Sequence, residues 1–200
     1  MLVPVAYILS SSSATSGTAP NELKFYFNIF DFFANHLASL EPTIRSSGED
    51  VLPNVYCGML TLILIPLYIY SEKISSSEKI ASIVLLGFLY VGFNINYINF
   101  LWHGLHFPND LPYRQSFMYS FILIVMGYKA FRNLNEFTKK QFISVGIGLI
   151  AFIVAVQKVQ SKNVSDSTIY ISIAFVFIYI IILGLIKSKK NQAENTIYAM

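Results

Sequence analysis

The sequence predicts an all-α polytopic membrane protein, a helix bundle with five full transmembrane spans. Of its 200 residues, 54% are hydrophobic and only 12% are charged, whereas about a quarter of the residues in soluble domains are charged. The apolar residues are concentrated in five runs without Asp, Glu, Lys or Arg. These runs do not alternate between polar and apolar residues, so they indicate helices and not the strands of a membrane barrel.

The five charge-free runs define a bundle over residues 52–187. A helix needs about 20 apolar residues to cross the hydrocarbon layer, and the first, second and fifth runs come close to that length. The third and fourth are shorter, and we expect Arg and Lys at their ends to extend them by snorkelling. The runs are residues 52–70, 80–100, 115–128, 141–157 and 167–186.

The basic residues predict the orientation in the cell membrane. Nine of the fourteen Lys and Arg residues fall in one set of alternate connections and five in the other. The richer set is expected to be cytoplasmic, which places the tail 188–200 inside. Residues 10–51, 101–113 and 158–166 are then exterior.

The N-terminal stretch is apolar but too short to span a bilayer. Residues 1–9 read MLVPVAYIL, with no basic segment before them that would indicate a signal peptide. We interpret them as the outer end of a partial transmembrane helix whose beginning lies outside this sequence. The chain is therefore expected to be a piece of a larger protein.

The exterior loop is predicted to contain an amphipathic helix over residues 22–40. Two placements remain open for it, in the outer membrane interface or packed across the top of the bundle. Its apolar positions recur at helical spacing at Tyr26, Ile29, Phe30, Phe33, Leu37 and Leu40. A polar stripe has the same period at Lys24, Asn28, Asp31, Asn35 and Ser39.

The segment 94–117, at the predicted exterior ends of the second and third spans, contains residue types that are unusual in a simple connecting loop. It holds the one Trp, two of the three His and two prolines. Trp102, Phe107 and Tyr113 suit the headgroup level. Arg114 opens the third span, and its guanidinium fork can bind a phosphate. The alternative is an aromatic belt with a snorkelling arginine.

Two histidines of this segment are candidates for the same anionic site. His103 and His106 are three residues apart, and either could donate a hydrogen bond or transfer a proton near neutral pH. Asn109 and Tyr113 are further candidate substrate-binding residues of this segment. As metal ligands, Asn109 and Asp110 would complete a histidine pair only weakly. The sequence predicts no certain cofactor and leaves a divalent metal open.

A second exterior cluster lies within residues 41–58. Asp50 follows Glu49, and adjacent carboxylates can perform acid/base chemistry or hold a divalent ion, although neighbouring acids in a loop are often only solvated. Arg45, Asn54 and Tyr56 are further candidate substrate-binding residues of this cluster.

Several classes of function are excluded by the composition. The formal net charge of +3 is too small to indicate nucleic acid as a partner. The single cysteine, Cys57, excludes an intramolecular disulfide framework. No nucleotide-binding or hydrolase motif occurs.

Three stretches resemble the bacterial YfhO family of membrane proteins, over roughly residues 1–160. They are LPNVYCGMLTLILIPLY (52–68), FNINYINFLWHGLHFPNDLPYRQSFMYSFILIVMGYKAF (93–131) and, more weakly, LVPVAYIL (2–9). The resemblance implies a glycosyltransferase of the GT-C architecture. Such an enzyme moves a sugar from a polyprenyl-phosphate carrier to a cell-envelope polymer such as lipoteichoic acid.

The resemblance also implies partners and catalytic groups. The partners are a lipid-linked sugar donor, membrane lipids, an envelope polymer acceptor and a further part of the same protein. The family's catalytic acid is expected in an early exterior loop that this chain lacks, so Asp50 and Asp110 are substitute candidates for the catalytic base.

Two other functions remain as alternatives. One is a non-catalytic membrane subunit or scaffold in envelope assembly, and the other is a small transporter. Transporters generally place ionisable groups near the bilayer midplane, and the five runs contain no Asp, Glu, Lys or Arg. This absence disfavours proton-coupled transport.

Overall fold

A computed structural model describes residue 7 and residues 19–43, 51–105, 113–159 and 164–198, the last nine of these as backbone only. The regular structure of this part of the chain is helical, which confirms the predicted all-α class. The helices are α1 Ile29–Ala34, α2 Met59–Tyr70, α3 Ser76–Asn94, α4 Asn96–Trp102, α5 Ser116–Arg132, α6 Lys139–Val159 and α7 Asp166–Tyr198. A 3₁₀ turn, Leu134–Glu136, joins α5 to α6.

Three of the described helices are long and apolar enough to cross a membrane. They are α3, α6 and the part of α7 from Asp166 to Lys189. The prediction of five full spans is confirmed for these three only, because α2 has 12 residues and α5 has 17. The first run was predicted to be helical from residue 52, but residues 51–58 are not helical and Gly58 precedes α2 with a φ of 93°.

The long helices run alternately up and down, and α2 lies at their centre. It packs most extensively on α5 and also contacts α6 and α7. Its side chains Ile63, Leu64, Leu67 and Tyr68 are buried. The end of the bundle that carries Asn94, Ser116 and Asp166 is called the upper end, and the end that carries Ser71 and Glu136 is called the lower end. The basic residues predict that the upper end is exterior.

The outward faces of the long helices are apolar, as expected for surfaces in contact with lipid tails. A soluble domain rarely exposes so much contiguous apolar surface. Exposed large side chains include Ile83, Val84 and Phe88 on α3, Phe117, Phe121 and Ile124 on α5, Ile143 and Ile147 on α6, and Phe177, Ile181 and Leu185 on α7.

Two glutamates connect the elements of the lower end. Glu136 accepts hydrogen bonds from the Ser71 hydroxyl at 2.7 Å and from the backbone N–H groups of Glu72 and Lys73. Lys129 donates to Glu78 at 2.7 Å, which joins α5 to the first turn of α3. These contacts hold neighbouring helices together at the lower end.

The amphipathic helix predicted over residues 22–40 is much shorter in the structure. Within residues 22–40 only Ile29–Ala34 is α-helical. The helix starts there because the Asn28 side chain accepts a hydrogen bond from the backbone N–H of Asp31. It ends in turns in which Ser39 has a φ of 65°.

This segment packs into the bundle, which is the second of the two placements considered. Asp31, Phe32, Ala34 and Leu37 are at most 2% exposed, and α1 contacts α6. The predicted polar stripe is therefore only partly exposed: Asp31 is buried, whereas Lys24, Asn28 and Ser39 are exposed. The partial helix predicted at residues 1–9 lies outside the described residues, except for Tyr7, which is helical.

Candidate functional site

A break between α3 and α4 organises the upper end of the bundle. Ile95 adopts an extended conformation and forms an isolated antiparallel bridge with Phe25. On either side of it, Tyr26 N–H donates to the Asn94 carbonyl at 3.0 Å, and Asn96 N–H donates to the Lys24 carbonyl at 3.1 Å. The chain before α1 is thereby held across the end of α3.

The side chains of Asn94 and Asn96 strengthen this pairing. Phe27 N–H donates to Asn94 Oδ1 at 3.0 Å, and Lys24 N–H donates to Asn96 Oδ1 at 3.1 Å. Both asparagines are 6% exposed. The backbone groups at this crossing belong to neither a helix nor a sheet, and an asparagine amide can supply the hydrogen bonds that they would otherwise lack. Asn94 and Asn96 therefore have a structural role.

An aromatic cluster lies beneath this crossing, between α1, α3 and α5. The Tyr113 ring meets Phe27 and Phe93 edge-on, with both centroids 6.1 Å away. Phe32 packs edge-on against Tyr119 at 5.3 Å. Tyr113 was predicted at the headgroup level as a substrate-binding residue, but its side chain is 7% exposed and packs in the protein interior.

His36 is a buried histidine that the sequence analysis did not single out. Its Nδ1–H donates to the Phe32 carbonyl at 3.1 Å, so Nε2 accepts from the Tyr119 hydroxyl at 3.2 Å. Burial lowers the pKa of His36 to about 4, despite hydrogen bonds to the Phe32 and Phe33 carbonyls that favour its charged form. One feature of the sequence could have indicated its burial: His36 follows Phe33 by three residues and Phe32 by four, which places it on the apolar face of a helix.

The short helix α4 buries both of its asparagines and leaves several apolar side chains exposed. Asn96 and Asn99 are buried together with Phe100, whereas Leu101 is 63% exposed. Trp102 packs so closely on Gly92 of α3 that a Cβ at that glycine would overlap the indole nitrogen. Exposed apolar side chains on α4 are compatible with contact with lipid.

The predicted anion-binding residues lie close to this helix in sequence, and the structure describes two of them. His103 Nδ1–H donates to the Asn99 carbonyl at 2.8 Å, which assigns the ring proton to that nitrogen. Arg114 is exposed just before α5. Among the described atoms, Asn99 Oδ1 and Gln115 Nε2 are buried without a hydrogen-bond partner.

A pocket opens at the upper end between the turn after α1 and the start of α7. Its volume is about 740 Å³. The residues that line it are Ala34, Asn35, Ser39, Leu40, Glu41, Thr43, Val51, Leu52, Val164, Ser165 and Thr168.

Asn54, a predicted substrate-binding residue, stabilises the wall of this pocket. Its Nδ2 donates to the Thr43 carbonyl at 2.8 Å, and its Oδ1 accepts from Thr43 N–H at 2.9 Å. These bonds hold the chain on both sides of residues 44–50 together. Tyr56, two residues further on, is 47% exposed and is not among the lining residues.

Five of the predicted site residues lie outside the described part of the chain. They are Arg45, Asp50, His106, Asn109 and Asp110. Two of them are adjacent in sequence to described residues, since Asp50 precedes Val51 of the pocket wall and His106 follows Leu105. Within the described residues, no group of three or more His, Cys, Asp or Glu side chains is arranged to hold a metal ion.

Comparison with known proteins identifies the family. The family model described as bacterial membrane protein YfhO matches residues 1–200. The chain belongs to the YfhO family. This confirms the resemblance seen in the sequence and extends it over the whole chain. No curated protein and no solved structure matches it. Family membership and the apolar helices together make the chain a membrane protein.

Proposed function

We propose that this chain is part of a GT-C-like membrane glycosyltransferase. It would move a sugar from a polyprenyl-phosphate carrier to a cell-envelope polymer such as lipoteichoic acid. Membership of the YfhO family supports this proposal. The single observation that carries it is the position of Arg114, an exposed cation at the upper end of an outward-facing apolar helix.

The surface below Arg114 suits the isoprenoid chain of such a carrier. In the first turns of α5, Phe117 and Phe121 are 69% and 65% exposed. Leu101 and Leu105 at the end of α4 are also exposed apolar side chains. A carrier lying along α5 would place its phosphate at headgroup level, where the Arg114 guanidinium can donate two parallel hydrogen bonds.

Other groups of the upper end would complete the reaction. His103 would contribute through Nε2, because its Nδ1–H is bonded to the Asn99 carbonyl. The acceptor hydroxyl needs a base, for which Asp50 and Asp110 remain the candidates. A divalent metal at the leaving phosphate is part of the same hypothesis.

The apolar core of the bundle argues against the transporter alternative. Buried residues along the middle of α2, α5 and α6, such as Ile63, Met126 and Leu149, are apolar. The described buried polar side chains lie instead towards the ends of the long helices, as Ser71, Asn94 and Thr168 do. A transport pathway would require polar groups near the midplane.

The proposal is tested with Arg114→Ala in the full-length protein, by transfer from a polyprenyl-phosphate sugar in membranes. We expect transfer to fall about 10- to 100-fold, because charge-assisted hydrogen bonds to the leaving phosphate are lost. The matched control is Arg132→Ala, since Arg132 is an exposed arginine at the opposite end of α5, and its replacement should leave transfer unchanged.

The comparison requires that the Arg114→Ala protein inserts into the membrane to the same extent as the unchanged protein and has the same stability against unfolding. Transfer that is equal in both variants would contradict the role of Arg114. The scaffold alternative would be favoured if the unchanged protein showed no transfer and yet envelope-polymer assembly depended on it. Assembly would then be normal in cells that carry the protein and defective in cells without it.

A further inference from the structure

We infer that the pocket at the upper end, between the turn after α1 and the start of α7, binds an uncharged sugar residue. This inference rests on the proposed glycosyltransferase function and deepens it. It separates the subsite for the sugar from the phosphate-binding position at Arg114, which is not among the residues that line the pocket.

The walls of the pocket are held in place by hydrogen bonds between distant parts of the chain. Ala38 N–H donates to Ser172 Oγ of α7 at 3.0 Å, and Thr168 Oγ1 donates to the Ser39 carbonyl at 3.3 Å. Asn35 Nδ2 donates to the Pro53 carbonyl at 2.7 Å. The three segments that form the pocket are thus joined to one another, and a preformed site costs less binding energy than one that must be ordered.

The lining has the mixed character that a sugar requires. Asn35, Ser39, Thr43 and Ser165 contribute polar atoms to the lining. Asn35 Nδ2 and the hydroxyls of Thr43 and Ser165 already form hydrogen bonds within the walls, but their oxygen atoms have more than one lone pair and can also accept from ring hydroxyls. Leu40, Leu52 and Val164 offer apolar surface to the C–H faces of a sugar ring. The volume of about 740 Å³ lies within the range of roughly 300–1,000 Å³ that is typical of small-molecule sites.

The charge of the lining disfavours a phosphate as the ligand. Among the described lining residues, Glu41 is the one ionisable side chain and none is basic. Against these residues an anion would meet a carboxylate, whereas a hydroxyl-rich neutral ligand can donate hydrogen bonds to it.

The test measures binding of methyl glucoside to the full-length protein in nanodiscs by saturation-transfer NMR, with glucose 1-phosphate as the anionic comparison. We expect methyl glucoside to bind and glucose 1-phosphate to bind at least tenfold more weakly. Tighter binding of the phosphate at this pocket would overturn the inference.

Two pairs of variants locate the binding. Val164→Trp fills the pocket and should abolish the signal, whereas Val159→Trp makes the same change at an exposed residue outside the lining. Glu41→Gln should weaken binding about tenfold through loss of a charge-assisted bond, and Glu22→Gln is its control. Equal signals within either pair would overturn the inference.

Competition identifies the source of the sugar and keeps the two proposals distinguishable. Displacement by a short-chain polyprenyl phosphoglucose assigns the pocket to the donor, displacement by a fragment of the envelope polymer assigns it to the acceptor, and displacement by neither overturns it. Because binding is measured without turnover, an inactive protein that still binds methyl glucoside in the pocket refutes glycosyl transfer but not the sugar site.

Discussion

The two ends of the bundle are held together by different chemistry. At the lower end, ionised groups join short connections, with Glu136 bound to the 71–73 turn and Lys129 paired with Glu78. At the upper end, neutral asparagine amides and aromatic rings join long segments. Partly exposed ion pairs contribute little, so the larger penalties are expected where neutral groups are fully buried.

The contrast also indicates where a ligand can act. The carboxylate of Glu136 at the lower end is already occupied by several donors. The upper end has a pocket of about 740 Å³ with partly polar walls. This pocket agrees with the proposed sugar site.

The largest expected effect is the pH dependence that His36 imposes on the upper end. Its pKa is 6.5 when unfolded and about 4 when buried, so the unfolded chain binds more protons between these values. Stability should therefore fall as pH drops from about 6.5 to 4, by up to roughly 3 kcal/mol. Chemical unfolding in bicelles between pH 7 and 4 measures this loss.

The variant His36→Phe removes the titrating group while keeping an aromatic ring. It should be less stable at pH 7, because the Tyr119 hydroxyl loses its partner, yet its stability should barely change between pH 6.5 and 5. A slope equal to that of the unchanged protein would show that another group is responsible.

The close contact between α3 and α4 should produce the next largest effect. Gly92→Ala places a Cβ against the Trp102 indole and should destabilise the protein by about 1–3 kcal/mol. The control is Gly87→Ala on the same helix, where nothing lies within 4 Å of the new atom. That change should stabilise by about 0.5–1 kcal/mol, and thermal unfolding distinguishes the two outcomes.

A smaller effect is expected from Glu136 at the lower end. Partial burial raises the pKa of Glu136, but the bonds from Ser71, Glu72 and Lys73 outweigh it and hold the pKa below its ordinary value of 4.5. Its stabilising contribution is therefore complete above pH 4.5 and is lost as pH falls through the lowered pKa.

Replacement of this carboxylate tests the lower end by itself. Glu136→Gln should cost about 1 kcal/mol at pH 7 through weaker hydrogen bonds, while the exposed Glu72 replaced by Gln should cost almost nothing. Unfolding curves for both variants at pH 7 and pH 4 provide the comparison. If the penalty for Glu136→Gln were as large at pH 4 as at pH 7, ionisation of this group would not explain its role.

The sequence alone was sufficient for the helical class, the order of the apolar runs and the chemical richness of residues 94–117. It failed where distant segments pair. The 22–40 pattern predicted one long helix, but the pairing of Lys24 and Tyr26 with Asn96 and Asn94 keeps the first part extended. The sequence indicated an interfacial position for Tyr113, because the ring that it packs against, Phe27, is 86 residues away in the sequence.

Apolar length and charge distribution determined that this chain resides in a membrane, because those properties act residue by residue against lipid and water. Tertiary structure decided which hydrogen bonds the polar side chains form. Asn54 bonds to Thr43 in the pocket wall, and His36 bonds to Tyr119. It also placed Glu41 in the lining of a pocket. A side chain's hydrogen-bonding role depends on the neighbours that packing supplies, and local sequence does not contain them.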